Sequence, residues 1–322
     1  MIELQTSWGW VIATYLFLGG LGAGVFVAVS VVYLISGDRF KNTIRFGSWA
    51  SAVAIAVGTV LLLADVAKPF RAMIMFKSFV NFESWMTRGA WLLFCAILVY
   101  GLAALFWTDF SLQIFGRIWK PLQEKRTVFR TILAIVGIAI GLGVAAYTGI
   151  LLGVLQFRPL WHTWLLPALF VASALDTGVG LATGYASVRE NGAGVKVLRI
   201  ALEVSILVLI AIEGVALWQF LNAAFNGSAD AAQAAHIVAS GPLAVPFWVL
   251  VVGCGLTIPF LVCLSQLSGL CKRLAVTVSL VGLACCLIGG WTLRFVVLSA
   301  GIPQLVSSPA WDQILAGIRF VP

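Results

Sequence analysis

Long apolar runs recur along this chain, separated by short polar joints. Eight of them reach or exceed about 20 residues, at roughly 8–36, 46–66, 88–109, 130–154, 163–187, 198–221, 243–268 and 274–300. A helix rises about 1.5 Å per residue, so about 20 apolar residues cross the hydrocarbon core of a bilayer. The pattern predicts an all-α membrane protein with eight transmembrane helices in a single integral domain over 1–322. The joints carry turn residues and charge: SGDRFKNTIR (36–45), the segment 66–87, the segment 110–129 with Pro121, QFRPLWH (156–162), VRENGAGVK (188–196), the Ala/Gly-rich 222–241, and CKR (271–273). None is long enough for a soluble domain.

Composition agrees. Hydrophobic residues make up 61% and charged residues 10% of the 322, with a mean hydropathy of +1.06. Soluble domains carry about 25% charged residues. The first apolar run lacks a basic leader and is too long for a signal-peptide core, so it is expected to be a retained span. The net charge of +8 is confined to the joints, which points to membrane topology and lipid contact rather than to nucleic acid.

The positive-inside rule sets the orientation. With both termini outside, inside loops hold Arg39, Lys41, Arg45, Arg117, Lys120, Lys125, Arg126, Arg130, Arg189, Lys196, Arg199, Lys272 and Arg273, 13 of the 20 basic residues. Four of the exceptions, Lys68, Arg71, Lys77 and Arg88, crowd into one outside segment. A basic outside segment is expected to be covered by a partner.

Metal-centre chemistry finds little support. The six Cys (95, 254, 263, 271, 285 and 286) form no CxxC, and iron–sulfur ligation calls for clustered Cys. There are two His, His162 and His236, where a bis-His diheme cytochrome needs four. No metal site is expected in this chain.

Ionisable groups inside a span are costly and mark function. Here they are Asp65, Asp176, Glu203, Glu213 and Arg294, with Tyr147 as a polar aromatic and His162 opening the fifth span. The topology gathers Asp65, Tyr147, His162 and Arg294 toward the outer face. Quinol oxidation asks for such a set: hydrogen-bonding groups for two oxygens and a carboxylate to take a proton. Asp176, Glu203 and Glu213 instead suggest a proton path through the second half. Each residue also has a structural reading: Asp65 as a helix stop, Tyr147 as a core phenol, His162 as an interfacial anchor, Arg294 as a partner of Asp65 or Glu213, and the three acids as helix–helix glue. GGLGAG (19–24) and glycines four apart allow close helix packing.

Several segments together resemble the NrfD/polysulfide-reductase family of membrane subunits: WGWVIATYLFLGGLGAG (8–24), LLADVAKPFR (62–71), NFESWMTRGAW (81–91), YTGILLGVLQFRPLWHTWLLPALFVASAL (147–175) and GGWTLRFVVL (289–298). The resemblance runs the whole chain in order and is weakest over 222–270. It implies two four-helix bundles with both termini periplasmic, in a bacterial inner (cytoplasmic) membrane, with no heme or iron–sulfur cluster in this chain. It implies electron exchange between membrane menaquinone or ubiquinone and a four-cluster ferredoxin-like iron–sulfur subunit docked on the outer face, and through it a molybdopterin catalytic subunit. By the same resemblance Tyr147 is a quinone ligand and Asp65 a proton acceptor or site organiser. The first span lacks the His and Asn that some relatives place at the quinone, which leaves His162, Lys68, Ser84, Asn81 and Arg294 as candidates for the second contact. Competing expectations are a proton-coupled secondary transporter and a purely structural anchor.

Overall fold

The computed structural model describes residues 9–65, 82–108, 125–190, 192, 194–269 and 274–301, with the side chain of Asp65 outside that description. The described residues are helical almost throughout. The long helices are α1 (Trp10–Ser36), α2 (Lys41–Asp65), α3 (Trp85–Phe106), α4 (Arg126–Gly153), α5 (Leu165–Arg189) and α6 (Val195–Phe225). A short α7 (Ala229–Ala239) follows, then a π-helical stretch, Pro246–Thr257, that runs directly into α8 (Ile258–Ser268), and finally α9 (Ala275–Ser299). α1 to α6, α9, and the π stretch with α8 taken as one span have the length and apolar character to cross a membrane, whereas α7 is too short, and the chain is a multi-pass membrane protein.

Local chemistry sets the breaks. α1 and α2 would form one rod too long for a bilayer, but the chain turns at Gly37. Its φ of 59° is left-handed and its N–H returns to the Tyr33 carbonyl. Only glycine takes such a value without a Cβ clash. A 3-10 turn, Gly37–Phe40, then leads into α2. Glu190, just past α5, accepts from both the backbone N–H of Thr43 (2.8 Å) and its hydroxyl (2.9 Å). This satisfies one of the orphan donors of the first turn of α2. Arg130 in α4 donates to both oxygens of Asp38 (2.8 and 2.9 Å) and, through Nε and Nη2, to the carbonyl of Phe106 at the end of α3 (3.0 and 2.7 Å). One guanidinium therefore ties three helices at this end.

α1 packs on α2 and α4, and α3 packs on the same two helices; α5 packs on α6 and α9, and α8 packs on both of those. The two rings meet where α1 lies along α5 and α9. Gly24 and Gly178 set that crossing. A Cβ on Gly24 would overlap the Ala174 carbonyl, and one on Gly178 would overlap the backbone of Gly24. Without a hydrophobic drive between helices in lipid, such backbone contact supplies the packing. The outward faces of α2, α3, α4 and α6 carry large apolar side chains, among them Val60, Phe94, Ile135 and Trp218.

Candidate functional site

Tyr147 lies six residues before the end of α4, about 9 Å along its axis. It is buried, and its ring rests on Gly89 of α3, where a Cβ would overlap the phenol. Tyr15 of α1 is also buried and is an electrostatic neighbour of Tyr147. Neither phenol forms a hydrogen bond with any described residue. Two buried tyrosines thus carry hydroxyls with donor capacity in hand. Pattern reading missed Tyr15. It sits inside an unbroken apolar run, and only its nearness to Tyr147 distinguishes it.

α2 comes in beside the same end of α1. Gly58 packs near the Tyr15 carbonyl and Leu18, and Asp65 ends the helix seven residues further on. Lys68 and Asn81 lie outside the described residues, as do Arg71 and Lys77. Ser84 is the half-buried residue that opens α3, and its hydroxyl makes no capping bond. Arg88 is exposed, donates through Nε to the Phe82 carbonyl (2.7 Å) and stacks over Trp85 at 4.8 Å.

His162 stands exposed on the α4–α5 connection, with Nδ1 2.7 Å from the Gly153 carbonyl. A carbonyl can only accept, so Nδ1 carries the proton and Nε2 stays available. Its neighbour Trp161 is buried and donates to the Val297 carbonyl (2.8 Å). The Arg158 guanidinium stacks on that indole at 5.3 Å and donates to the carbonyl of Gly301. This connection clasps the end of α9.

Arg294 is placed apart from Tyr147, with α1 between them. Gly20 of α1 faces the guanidinium, while Gly19 faces Thr148, the residue after Tyr147. Arg294 is 0% exposed. Its Nη1 donates to the Gly290 carbonyl (2.7 Å) and the Ser173 hydroxyl (3.2 Å), and its guanidinium lies 5.2 Å from the Phe170 ring and 5.7 Å from that of Phe17. Nε and Nη2 have no partner among the described residues.

The second half carries the acids. Glu213 of α6 is buried against Ser173 and interacts electrostatically with Arg294 and Asp176. Ser173 therefore stands between a buried cation and a buried acid. Asp176, one turn along α5, accepts from the thiol of Cys286 (3.2 Å) through Oδ2, and its Oδ1 has no partner among the described residues. Glu203 lies ten residues before Glu213 on α6, and it too is buried. Among the described residues no group of three or more His, Cys, Asp or Glu has the arrangement to hold a metal ion.

Fold and site together define a class: a multi-pass helical membrane protein with buried phenols at one end and a chain of buried ionisable groups behind them. The chain belongs to the NrfD, polysulphide reductase family, whose model matches residues 3–306. It is 30% identical to a polysulfide reductase chain of Wolinella succinogenes, over 91% of this chain and 94% of that protein. It is 28% identical to protein NrfD of Escherichia coli, with the same shares covered. It is 22% identical to a selenate reductase subunit of Mesobacillus selenatarsenatis, over 87% of this chain and 72% of that protein.

Proposed function

We propose that this chain is the quinone-binding membrane anchor of a respiratory oxidoreductase complex in a bacterial inner membrane. Both termini face the periplasm, and the two rings of helices are two four-helix bundles. The observation that carries the reading is the Tyr147 phenol, seated on Gly89 without a hydrogen-bond partner among the described residues, in a chain of this family.

The residues present fit a quinone. Tyr147 donates to, or accepts from, one ring oxygen, and Tyr15 stands beside it. Asp65, at the end of α2, receives a proton released there. Ser84 opens α3 nearby, and His162, Lys68 and Asn81 belong to the outer connections. Arg294 lies one helix away and acts on the acids rather than on the ring. When bound, quinone supplies the two-electron, two-proton exchange. Electrons pass to an iron–sulfur subunit docked over the basic outer segment 66–88, and through it to a molybdopterin catalytic subunit. The names of the polysulfide reductase and selenate reductase relatives support a subunit of this kind. Asp176, Glu203 and Glu213 form a proton path through the second bundle.

The test is binding of a fluorescent quinone analogue to the purified complex. Tyr147→Phe is expected to weaken it about tenfold, the worth of one hydrogen bond of ~1.4 kcal/mol, and Asp65→Asn to slow quinol turnover with assembly intact. Unchanged binding and turnover in both variants would leave a purely structural anchor. Solute flux by the isolated chain would instead favour a transporter.

A further inference from the structure

Between α5, α6, α8 and α9 lies a small, partly open cavity of about 30 Å³. Its lining is mostly apolar but carries the polar side chains of Thr183, Glu203, Gln266 and Ser279, and its inner end is Cys286 beside Gly180. A cavity of this size holds a water where polar partners surround it. Gln266 donates to the Ser279 hydroxyl (3.0 Å) and the Ala275 carbonyl (2.6 Å). This places the mouth of the cavity about one turn from the start of α9. Cys286, seven residues on, is about 10 Å deeper along the same helix.

Cys286 has two sides. One lines the cavity; the other donates to Asp176 Oδ2 at 3.2 Å. Asp176 is 1% exposed, and its Oδ1 is unpartnered among the described residues. Beyond it stand Glu213, Ser173 and Arg294. An acid buried this deeply exchanges protons only through what it touches. The cavity holding Glu203 reaches it at the thiol.

We propose that this cavity is a water-holding proton well and that Cys286 is the relay between its water and Asp176. In the step, the Asp176 carboxylate takes the S–H proton at Oδ2, while the sulfur takes a proton from the cavity water, which Glu203 reprotonates. The thiol is unchanged at the end. The proposal rests on the reading of the three acids as a proton path and names the contact that path requires between Glu203 and Asp176.

The test uses the purified complex and two measurements. Infrared spectra report the S–H stretch, assigned to Cys286 by its loss in Cys286→Ser. In D2O that band is expected to move to the S–D position, and Asp176→Asn is expected to raise its frequency as the hydrogen bond weakens. A band that never exchanges, or that ignores Asp176→Asn, overturns the proposal. In proteoliposomes, Cys286→Val is expected to lower protons moved per electron at least twofold, with Cys286→Ser near wild type. Gly180→Ala is the folding-safe companion. Its Cβ would meet Cys286 Sγ at 3.5 Å, an ordinary contact, and would narrow the well to the same effect. If Glu213→Gln leaves the stoichiometry unchanged, the proton path itself falls and the relay with it. If Glu213→Gln lowers it while Cys286→Val and Gly180→Ala do not, the relay alone is overturned.

Discussion

Tyr147 and Gly89 are matched across the α3–α4 interface: the phenol occupies the space that any larger residue at position 89 would fill. Gly89→Ala is therefore expected to act as a mutation of Tyr147 made from the opposite helix. It should displace the ring, weaken quinone-analogue binding as Tyr147→Phe does, and destabilise by about 1–3 kcal/mol as overpacking does. Analogue titration and thermal unfolding of the two variants check this. Normal binding in Gly89→Ala would show that the ring position is unimportant.

Tyr15 of the first helix is an electrostatic neighbour of Tyr147. Removal of its hydroxyl keeps the packing of a buried ring. Tyr15→Phe is expected to raise the KM for quinol severalfold, the effect of ~1 kcal/mol of binding, with kcat within about twofold because the proposed Tyr147 contact remains. Steady-state kinetics on the assembled complex separate the two parameters.

Ser173 links Arg294 to Glu213. The two buried groups interact electrostatically, so removing one alone is expected to cost more than removing both. Arg294→Met is expected to unfold the detergent-solubilised chain at markedly lower temperature. The double variant Arg294→Met/Glu213→Gln should recover most of the loss. A double-mutant cycle on thermal stability measures the coupling. Additive losses would mean that the two residues are energetically separate.

Glu190 caps α2 through Thr43. Glu190→Ala leaves a buried N–H and hydroxyl without their acceptor and is expected to cost about 1–3 kcal/mol. Because this contact lies at the end opposite Tyr147, quinone-analogue affinity should stay unchanged. Thermal unfolding beside analogue titration distinguishes the two effects.

The spans were legible because length and apolar character are local properties, and the buried groups stood out against so little charge. Asp176, Glu203, Glu213 and Arg294 were identifiable as unusual from the sequence. Their partners were not. Ser173 and Arg294 are 121 residues apart, and Cys286 and Asp176 are 110 apart; only helix packing brings them together. The topology reading grouped Arg294 with Tyr147 by depth, but depth says nothing about which side of α1 a side chain occupies. Glu203 and Glu213 point away from a common line on α6, yet both are buried, because α5 and α8 each cover part of that helix. α7 lay hidden in an Ala/Gly-rich joint whose helix is too short to announce itself by periodicity. The segment holding Lys68 and Asn81 lies outside the described residues, so their place rests on the sequence.

The π stretch Pro246–Thr257 has a consequence for the cavity. A π-helix winds more loosely than an α-helix and usually extends for a single turn; here it runs 12 residues before α8 begins. The number of residues in that stretch fixes the rotational phase in which α8 emerges. In this phase Cys263 and Gln266 line the same cavity as Glu203. The count acts as a register: one residue more or fewer would turn α8 on its axis and send Gln266 away from the cavity and its Ser279 partner.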